Sequence, residues 1–259
     1  MITRNRKHAK RDKMKQEHRL MIAGTEYRIV ISDEPKALLA AKAAGSAVVG
    51  LWEPDSEKDY SMVSYLVERI EDIDDAYLEQ VIRRTYGLPW LIARTDRLII
   101  RELCLSDLLN LPVEPEDSKG DKILQNEDTL AAYISCQYGF CGYGQWALED
   151  RHTGRLVGIA GLDGTSAVRS DGEAAEREGD GLELGYHIFI PFRRQGYALE
   201  ACRAILAYAG DELGIHVLHI KTDASNEASV CLAKKLGFIQ VQKDKQQMPG
   251  QIHLSWYCP

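Results

Sequence analysis

The chain has 259 residues, enough for one large or two small domains, and its 45% hydrophobic, 27% charged composition excludes a disordered or fibrous protein. No apolar run approaches the roughly 18 residues a membrane-spanning helix needs, and the N-terminus lacks the apolar stretch of a secretory signal; a cytoplasmic protein without membrane contact is expected. The net charge of −7 hides an asymmetry: residues 1–20 hold eight Lys or Arg against Asp12 and Glu17, so the remainder, with 24 basic and 37 acidic residues, carries −13 and repels polyanions.

Residues 1–20 therefore read as a basic tail, either solvated or, if it makes contacts, the anchor for an RNA partner. From Tyr27 the pattern tightens. Tyr27 to Ser32 reads as a strand, Glu34 to Ala44 as an Ala/Leu/Lys-rich helix ended by Gly45, and Ala47 to Trp52 as a second, buried strand. Elements joined this closely imply a parallel βαβ unit. A weaker strand around Val63 to Val67 and a helix from Asp74 to Tyr86 complete a small α/β layer, which Gly87-Leu88-Pro89 ends. The module is assigned to residues 21–95.

Within it, Ile31-Ser32-Asp33-Glu34-Pro35, followed by Ala40-Ala41-Lys42-Ala43-Ala44-Gly45 and Val48-Val49-Gly50, resembles the C-terminal half of a haloacid-dehalogenase-like core. In that family an acidic loop helps hold magnesium, and Asp33 falls near that place. The nucleophile strand with its paired aspartates is absent, so the resemblance implies a non-catalytic module.

Past Arg94 the chain restarts. Arg97 to Leu103 alternates as a strand, Ser106-Asp107 starts a helix, Pro112 to Lys122 is loop-like, and a helical stretch runs from Thr129 to Gln137. Strands Gln145 to Glu149 and Leu156 to Leu162 come next, joined through Asp150 to Gly154. Residues 164–181 are a polar loop with five acidic residues against Arg169 and Arg177, either merely solvated or attractive to a cationic amine. The six cysteines, at 104, 136, 141, 202, 231 and 258, show no CxxC pair and no His at ligand spacing; they read as small core residues, and no metal is expected.

From Leu182 to Ile190 the residues alternate, with Leu182, Leu184, Tyr186, Ile188 and Ile190 on one face and Glu183, Gly185, His187 and Phe189 on the other. Pro191-Phe192 ends this strand. Arg193-Arg194-Gln195-Gly196 then leads into a helix starting near Tyr197, whose Ala198, Cys202, Ile205, Leu206, Ala209 and Leu213 recur at helical spacing up to Gly214. A loop feeding a helix N-terminus collects unpaired N–H groups at the positive end of the dipole, and Gly196 lets an oxyanion approach. Ala198 clears space, and the two arginines add charge suited to a pyrophosphate.

The order of elements from Arg97 onward resembles the GNAT superfamily of N-acyltransferases, whose Arg/Gln-x-x-Gly-x-Gly/Ala signature is met by Arg193, Gly196 and Ala198. Glu183-Leu184-Gly185-Tyr186, Gly196 to Ala201, Asn226-Glu227-Ala228-Ser229 and Lys235-Leu236-Gly237-Phe238 resemble its ribosomal-protein N-terminal acetyltransferase branch. The resemblance covers residues 96–259. It implies an α/β, more closely α+β, GNAT fold: a central mixed, mostly antiparallel sheet flanked by helices, preceded by the small βαβ module.

It also implies acetyl-CoA as co-substrate. In the family, backbone N–H groups of the loop, here Arg194, Gln195, Gly196, Tyr197 and Ala198, bind the phosphates beside Arg193. The preceding strand splays from its neighbour to admit the pantetheine arm, and an N–H near Ile188 or Phe189, just before Ile190, polarises the thioester. Asn226 contacts the pantetheine or caps its helix. Many members place a Tyr on the last helix for the leaving thiolate; that position is Ala233 here, and Ser229 is the hydroxyl nearest the expected thiol. Abstraction of a proton from the amine needs a base, and Glu183 is the best placed, on one strand face with His187, which reads as lining. Tyr138, Phe140 and Tyr143 fall where the family contacts its acceptor, and either line a pocket or pack the turn.

The expectation is an N-acetyltransferase that transfers acetyl from acetyl-CoA to a primary amine, on a small molecule or a peptide, by direct attack; a homodimer is admitted. Two readings compete with it: an acyl-CoA sensor without turnover, and an acetyltransferase anchored to tRNA or the ribosome by the basic arm.

Overall fold

The computed structural model describes residues 14–54, 56–112, 122–164, 181–241 and 250–258. The basic residues 1–13, most of the Pro112–Lys122 loop and the acidic stretch 165–180 lie outside the described residues. The chain forms two compact units, Met1–Leu88 and Pro89–Pro259.

The first unit is a sheet of strand order β1-β2-β3-β4. Strands β1 (Lys15–Ile22) and β2 (Thr25–Ser32) form a hairpin in register from Lys15↔Ser32 to Ile22↔Thr25. Its two turn residues, Ala23 and Gly24, both have positive φ, the twist that matches a tight hairpin. The expected tail thus ends earlier than residue 20, because from Lys15 the chain is a sheet strand; its polar side chains masked that role. Strand β2, helix α1 (Pro35–Ala43) and strand β3 (Ala47–Leu51) make the parallel crossover, Ile29 facing Ala47. The weak strand shrinks to β4 (Leu66–Val67), and α2 (Asp75–Thr85) starts where the Asp74 carboxylate accepts from the Tyr77 N–H at 2.7 Å. Alternation splits the core: Ile29, Ile31 and Val49 pack with α2's Leu78, Val81 and Ile82, while Val30 and Val48 pack with α1's Leu38 and Ala41.

The second unit holds an eight-stranded sheet. Strand β5 (Leu91–Arg94) pairs antiparallel with β6 (Leu98–Glu102), so residues 89–95 belong here and the unit begins seven residues before the expected 96. Arg101 on β6 anchors the turn after that strand: its guanidinium donates to both Asp107 oxygens, at 3.0 and 2.7 Å, and to Glu149 at 2.9 Å. Asp107 also accepts from the Cys104 N–H, so the expected helix is a 3-10 turn, Leu105–Asn110.

Helix α3 (Glu127–Tyr133) continues as a π turn, Ile134–Tyr138, and a single turn α4 (Gly139–Cys141). Strands β7 (Gln145–Asp150), β8 (Leu156–Asp163) and β9 (Leu182–Ile188) then form an antiparallel meander. A side chain at Gly161 would collide with the Gly144 carbonyl, which explains the glycine between these strands. Helix α5 (Tyr197–Asp211) buries Ala201, Cys202, Ile205, Leu206 and Ala209 in the main core. Strand β10 (Val217–Asp223), helix α6 (Glu227–Lys235), the short β11 (Ile239–Gln240) and β12 (Gln251–Tyr257) complete the unit in the order β11-β12-β10-β9-β8-β7-β6-β5. No helix among the described residues is long and apolar enough to cross a membrane.

Candidate active site

Strand β9 ends at Ile188 rather than Ile190, because Pro191 supplies no N–H and sits in a 3-10 turn, Ile190–Phe192. The next residues curl sharply: Arg194 (φ 63°) and Gly196 (φ 85°) are both left-handed, and Gly196 caps the 15-residue α5. Two left-handed residues so close turn successive N–H groups into one concavity, which the free N–H groups of the helix's first turn extend. Such a concavity, with the dipole behind it, can accept an anion.

Residues far away in sequence hold this loop. Arg97, in the turn between β5 and β6, donates from Nη1 to the Gln195 carbonyl at 2.9 Å, lies 4.5 Å over the Tyr197 ring, and pairs through Nη2 with Glu200 at 2.6 Å. Glu200 on α5 also accepts from Arg97 Nε (2.7 Å), the Arg97 N–H (2.9 Å) and Thr95 Oγ1 (2.5 Å). Burial opposes its charge, but these donors hold its carboxyl below the ordinary value. Tyr197 donates to Asp150 Oδ2 at 2.8 Å, and Asp150 in turn orders the β7–β8 turn through Thr153 and His152. Sequence reading overlooked Arg97 and Glu200, whose meeting is tertiary; the Glu200 position one turn into the helix was the only hint.

The sheet opens beside the loop. Strands β9 and β10 are parallel neighbours only at Leu182↔Leu218 and Glu183↔His219, whereas β9 continues to Ile188 and β10 pairs along its whole length with β12. On its other side β9 stays paired with β8 as far as Ile188↔Gly158. The Phe189 N–H donates to the Val157 carbonyl at 3.0 Å, so by antiparallel alternation the N–H groups of Tyr186 and Ile188 face the opened edge. Of the two N–H groups expected near the thioester, that of Phe189 is thus committed to the ladder, and Ile188 has the free direction. The Ile188 carbonyl, also on that edge, accepts from Arg193 Nε at 2.8 Å.

A cavity of about 640 Å³ occupies this opening, lined by β9 from Tyr186 to Ile188, the loop before α5, the first turn of α5 and the inner side of α6. Asn226 caps α6 through the Ser229 N–H at 3.1 Å and lines the cavity as well. Across it, the Tyr186 hydroxyl meets Ser229 Oγ at 2.6 Å. Burial pushes the Tyr186 phenol up to about 12. Ala233, where the resembling family carries a tyrosine, is fully buried.

The other expected residues scatter. Glu183 does not line the cavity; it faces the opposite side of the sheet and pairs with Lys221 at 2.8 Å. Beside it, in cross-strand register, stands Asp163, whose pKa burial raises against the bond from Gln145 Nε2 at 2.6 Å. His187 lines the cavity and touches the Phe189 ring, while Ile190 is exposed at the 3-10 turn and leaves the site. Tyr138 cannot contact an acceptor: it is fully buried, and its hydroxyl donates to the Gln145 carbonyl and accepts from the Leu103 N–H. Phe140 is 93% exposed and Tyr143 half-buried, so the three aromatics do not form one wall. Among the described residues no group of three or more His, Cys, Asp or Glu could hold a metal ion.

The family model described as acetyltransferase (GNAT) domain matches residues 97–239. The uncharacterized N-acetyltransferase YoaA of Bacillus subtilis is 26% identical over 155 residues, 57% of this chain and 82% of that protein. The uncharacterized protein YkkB of the same organism is 31% identical over 98 residues, covering 37% of this chain and 52% of that protein. Among solved structures, a ribosomal-protein-S5-alanine acetyltransferase from Vibrio fischeri shares the fold at a TM-score of 0.50 and 12% identity, over 64% of this chain and 95% of that one.

Proposed function

Since this chain belongs to the GNAT acetyltransferase family and is an acyltransferase, we propose that it moves an acetyl group from acetyl-CoA to a primary amine by direct attack. The observation that carries the proposal is the opened β9–β10 edge, which leads from a 640 Å³ cavity to the left-handed Arg194/Gly196 cradle. That shape suits an elongated ligand with an anionic end. Acetyl-CoA supplies an acyl group already activated on a thiol leaving group.

The Arg194 to Ala198 N–H groups hold the pyrophosphate, with Arg193 and Arg194 adding charge. Asn226 lines the arm's path, and the Ile188 N–H points at the carbonyl where negative charge develops as nitrogen attacks. Glu183, on the opposite sheet face, takes the proton the amine loses, directly or through water. Nitrogen thus enters from one side of the sheet, and the thiol departs toward Ser229 on the other. Separation of the two roles by the sheet keeps the base away from the leaving group. The acceptor is a small-molecule or peptide amine drawn to the Asp163/Glu183 face, with His187 lining the passage.

The test is release of free CoA from acetyl-CoA over a panel of amines, in wild type and Glu183→Gln, together with thermal shift on acetyl-CoA addition. Acceptor-dependent release that falls at least tenfold in Glu183→Gln is expected. A thermal shift without turnover on any amine would turn the reading to an acyl-CoA sensor, and no thermal shift at all would remove acetyl-CoA from it.

A further inference from the structure

We infer that Tyr186 is a positioning residue for the departing thiol: its phenol donates to Ser229 Oγ, which turns the Ser229 hydroxyl hydrogen toward the thiol sulfur of bound CoA. The inference rests on the acetyl-CoA reading above. It starts from a contact between the two walls of the cavity, Tyr186 on β9 and Ser229 in the first turn of α6, whose hydroxyl oxygens lie 2.6 Å apart. A hydroxyl pair has one donor in the middle bond. The phenol is the more acidic of the two, so it gives its hydrogen to Ser229 Oγ, and the serine hydrogen is left to find another acceptor.

Among the described residues Tyr186 is the one side-chain partner of Ser229 Oγ, and the cavity lies in front of it. The site's chemistry supplies the second acceptor. When the amine nitrogen bonds to the acetyl carbon, the C–S bond breaks and its electron pair stays on sulfur, forming a thiolate in the cavity. The proton lost by nitrogen goes to Glu183 on the far face, and sulfur regains one from solvent only as product leaves. Until then a donor at sulfur lowers the barrier by spreading that charge.

Tyr186 does not itself protonate sulfur. With its pKa raised to about 12 by burial, it stays neutral throughout, and transfer of its proton to a thiolate of ordinary pKa about 8.5 is strongly uphill. It is a fixed donor, and its neutrality is what makes it dependable. Two further features agree. The α6 N-terminus, with Ser229 in its first turn, adds positive potential at the same spot. Ala233, in the middle of α6, is buried and carries no hydroxyl, so the strand provides the phenol that the helix lacks.

The measurement is the thiol pKa of CoA bound to the protein, tracked by the ultraviolet absorbance of the thiolate as pH is raised, in wild type, Tyr186→Phe and Ser229→Ala. Desulfo-CoA serves as the blank. Loss of the serine donor raises the bound thiol's pKa by about one unit, and Tyr186→Phe by a part of that. The double variant shows no more than Ser229→Ala alone, since the phenol acts through the serine. An unchanged thiol pKa in Tyr186→Phe or in Ser229→Ala, with CoA still bound, overturns the inference while leaving the acetyl-CoA reading intact. If CoA and desulfo-CoA both fail to bind wild type, the reading and the inference fall together.

Discussion

Glu200→Gln removes one charge from the clamp that ties the β5–β6 turn to the loop before α5, and its cost can be worked from the contacts. The carboxylate takes two donors on Oε1, Thr95 Oγ1 and the Arg97 N–H, and the Arg97 guanidinium on Oε2. Glutamine keeps the first pair but sets an NH2 group against the guanidinium, which then loosens from the Gln195 carbonyl as well. Hydrogen bonds to charged groups contribute about 1.5–3 kcal/mol, and the partial exposure of Arg97 reduces this to about 1–2 kcal/mol. If the loss falls on the ordered loop, acetyl-CoA binds about 5- to 30-fold more weakly. Titration calorimetry reads this directly, with thermal melting in parallel. Because the folded-state carboxyl lies below its ordinary 4.5, its stabilising contribution is complete above that pH and fades as pH falls through the folded value, so the melting difference from wild type disappears in acid. Wild-type affinity for acetyl-CoA, within twofold, in a variant that melts earlier would refute the clamp: Glu200 would then support the fold alone.

Three further outcomes are expected of individual residues. Gly196→Ala forces a Cβ into a φ of 85° with Arg97 Nη2 at 3.4 Å; it costs about 1–2 kcal/mol in stability and weakens acetyl-CoA binding, both measurable by melting with and without ligand. Asp163→Asn stabilises the protein at neutral pH, because a raised carboxyl costs folding energy once ionised. Below the ordinary value of 3.8 both side chains are neutral and the gain vanishes, which melting curves across pH will show. Cys231 is exposed and lines the cavity, so its alkylation, monitored by mass spectrometry, slows at least fivefold with saturating CoA while that of exposed Cys136 does not change.

Much of the site was legible because its signals are local. Gly196 before a helix with Ala198, Cys202, Ile205 and Ala209 on one face specifies an anion-accepting turn through backbone conformation and period alone. The parallel β2–α1–β3 unit was readable for the same reason: short connections and alternation leave few pairings. Strand β1 escaped because its first five residues, Lys15 to Arg19, are polar on both faces, and only Leu20 and Ile22 near its end join the core. Tyr138 stays ambiguous in the sequence because an aromatic beside glycines looks the same whether it lines a pocket or, as here, fills the core with its hydroxyl bonded at both ends.

By itself the sequence determined one local unit of this protein: a strand, an anion-accepting turn and a helix whose order and spacing hold wherever the rest of the chain lies. Only the tertiary structure decided what surrounds that unit. It brought Arg97 to Glu200 across more than a hundred residues, spent the Phe189 N–H on Val157, turned Glu183 to the far face with Lys221, and set Tyr186 against Ser229. Each of these depends on which strand lies beside which and where two of them part, and pairing between distant segments leaves no trace in local periodicity.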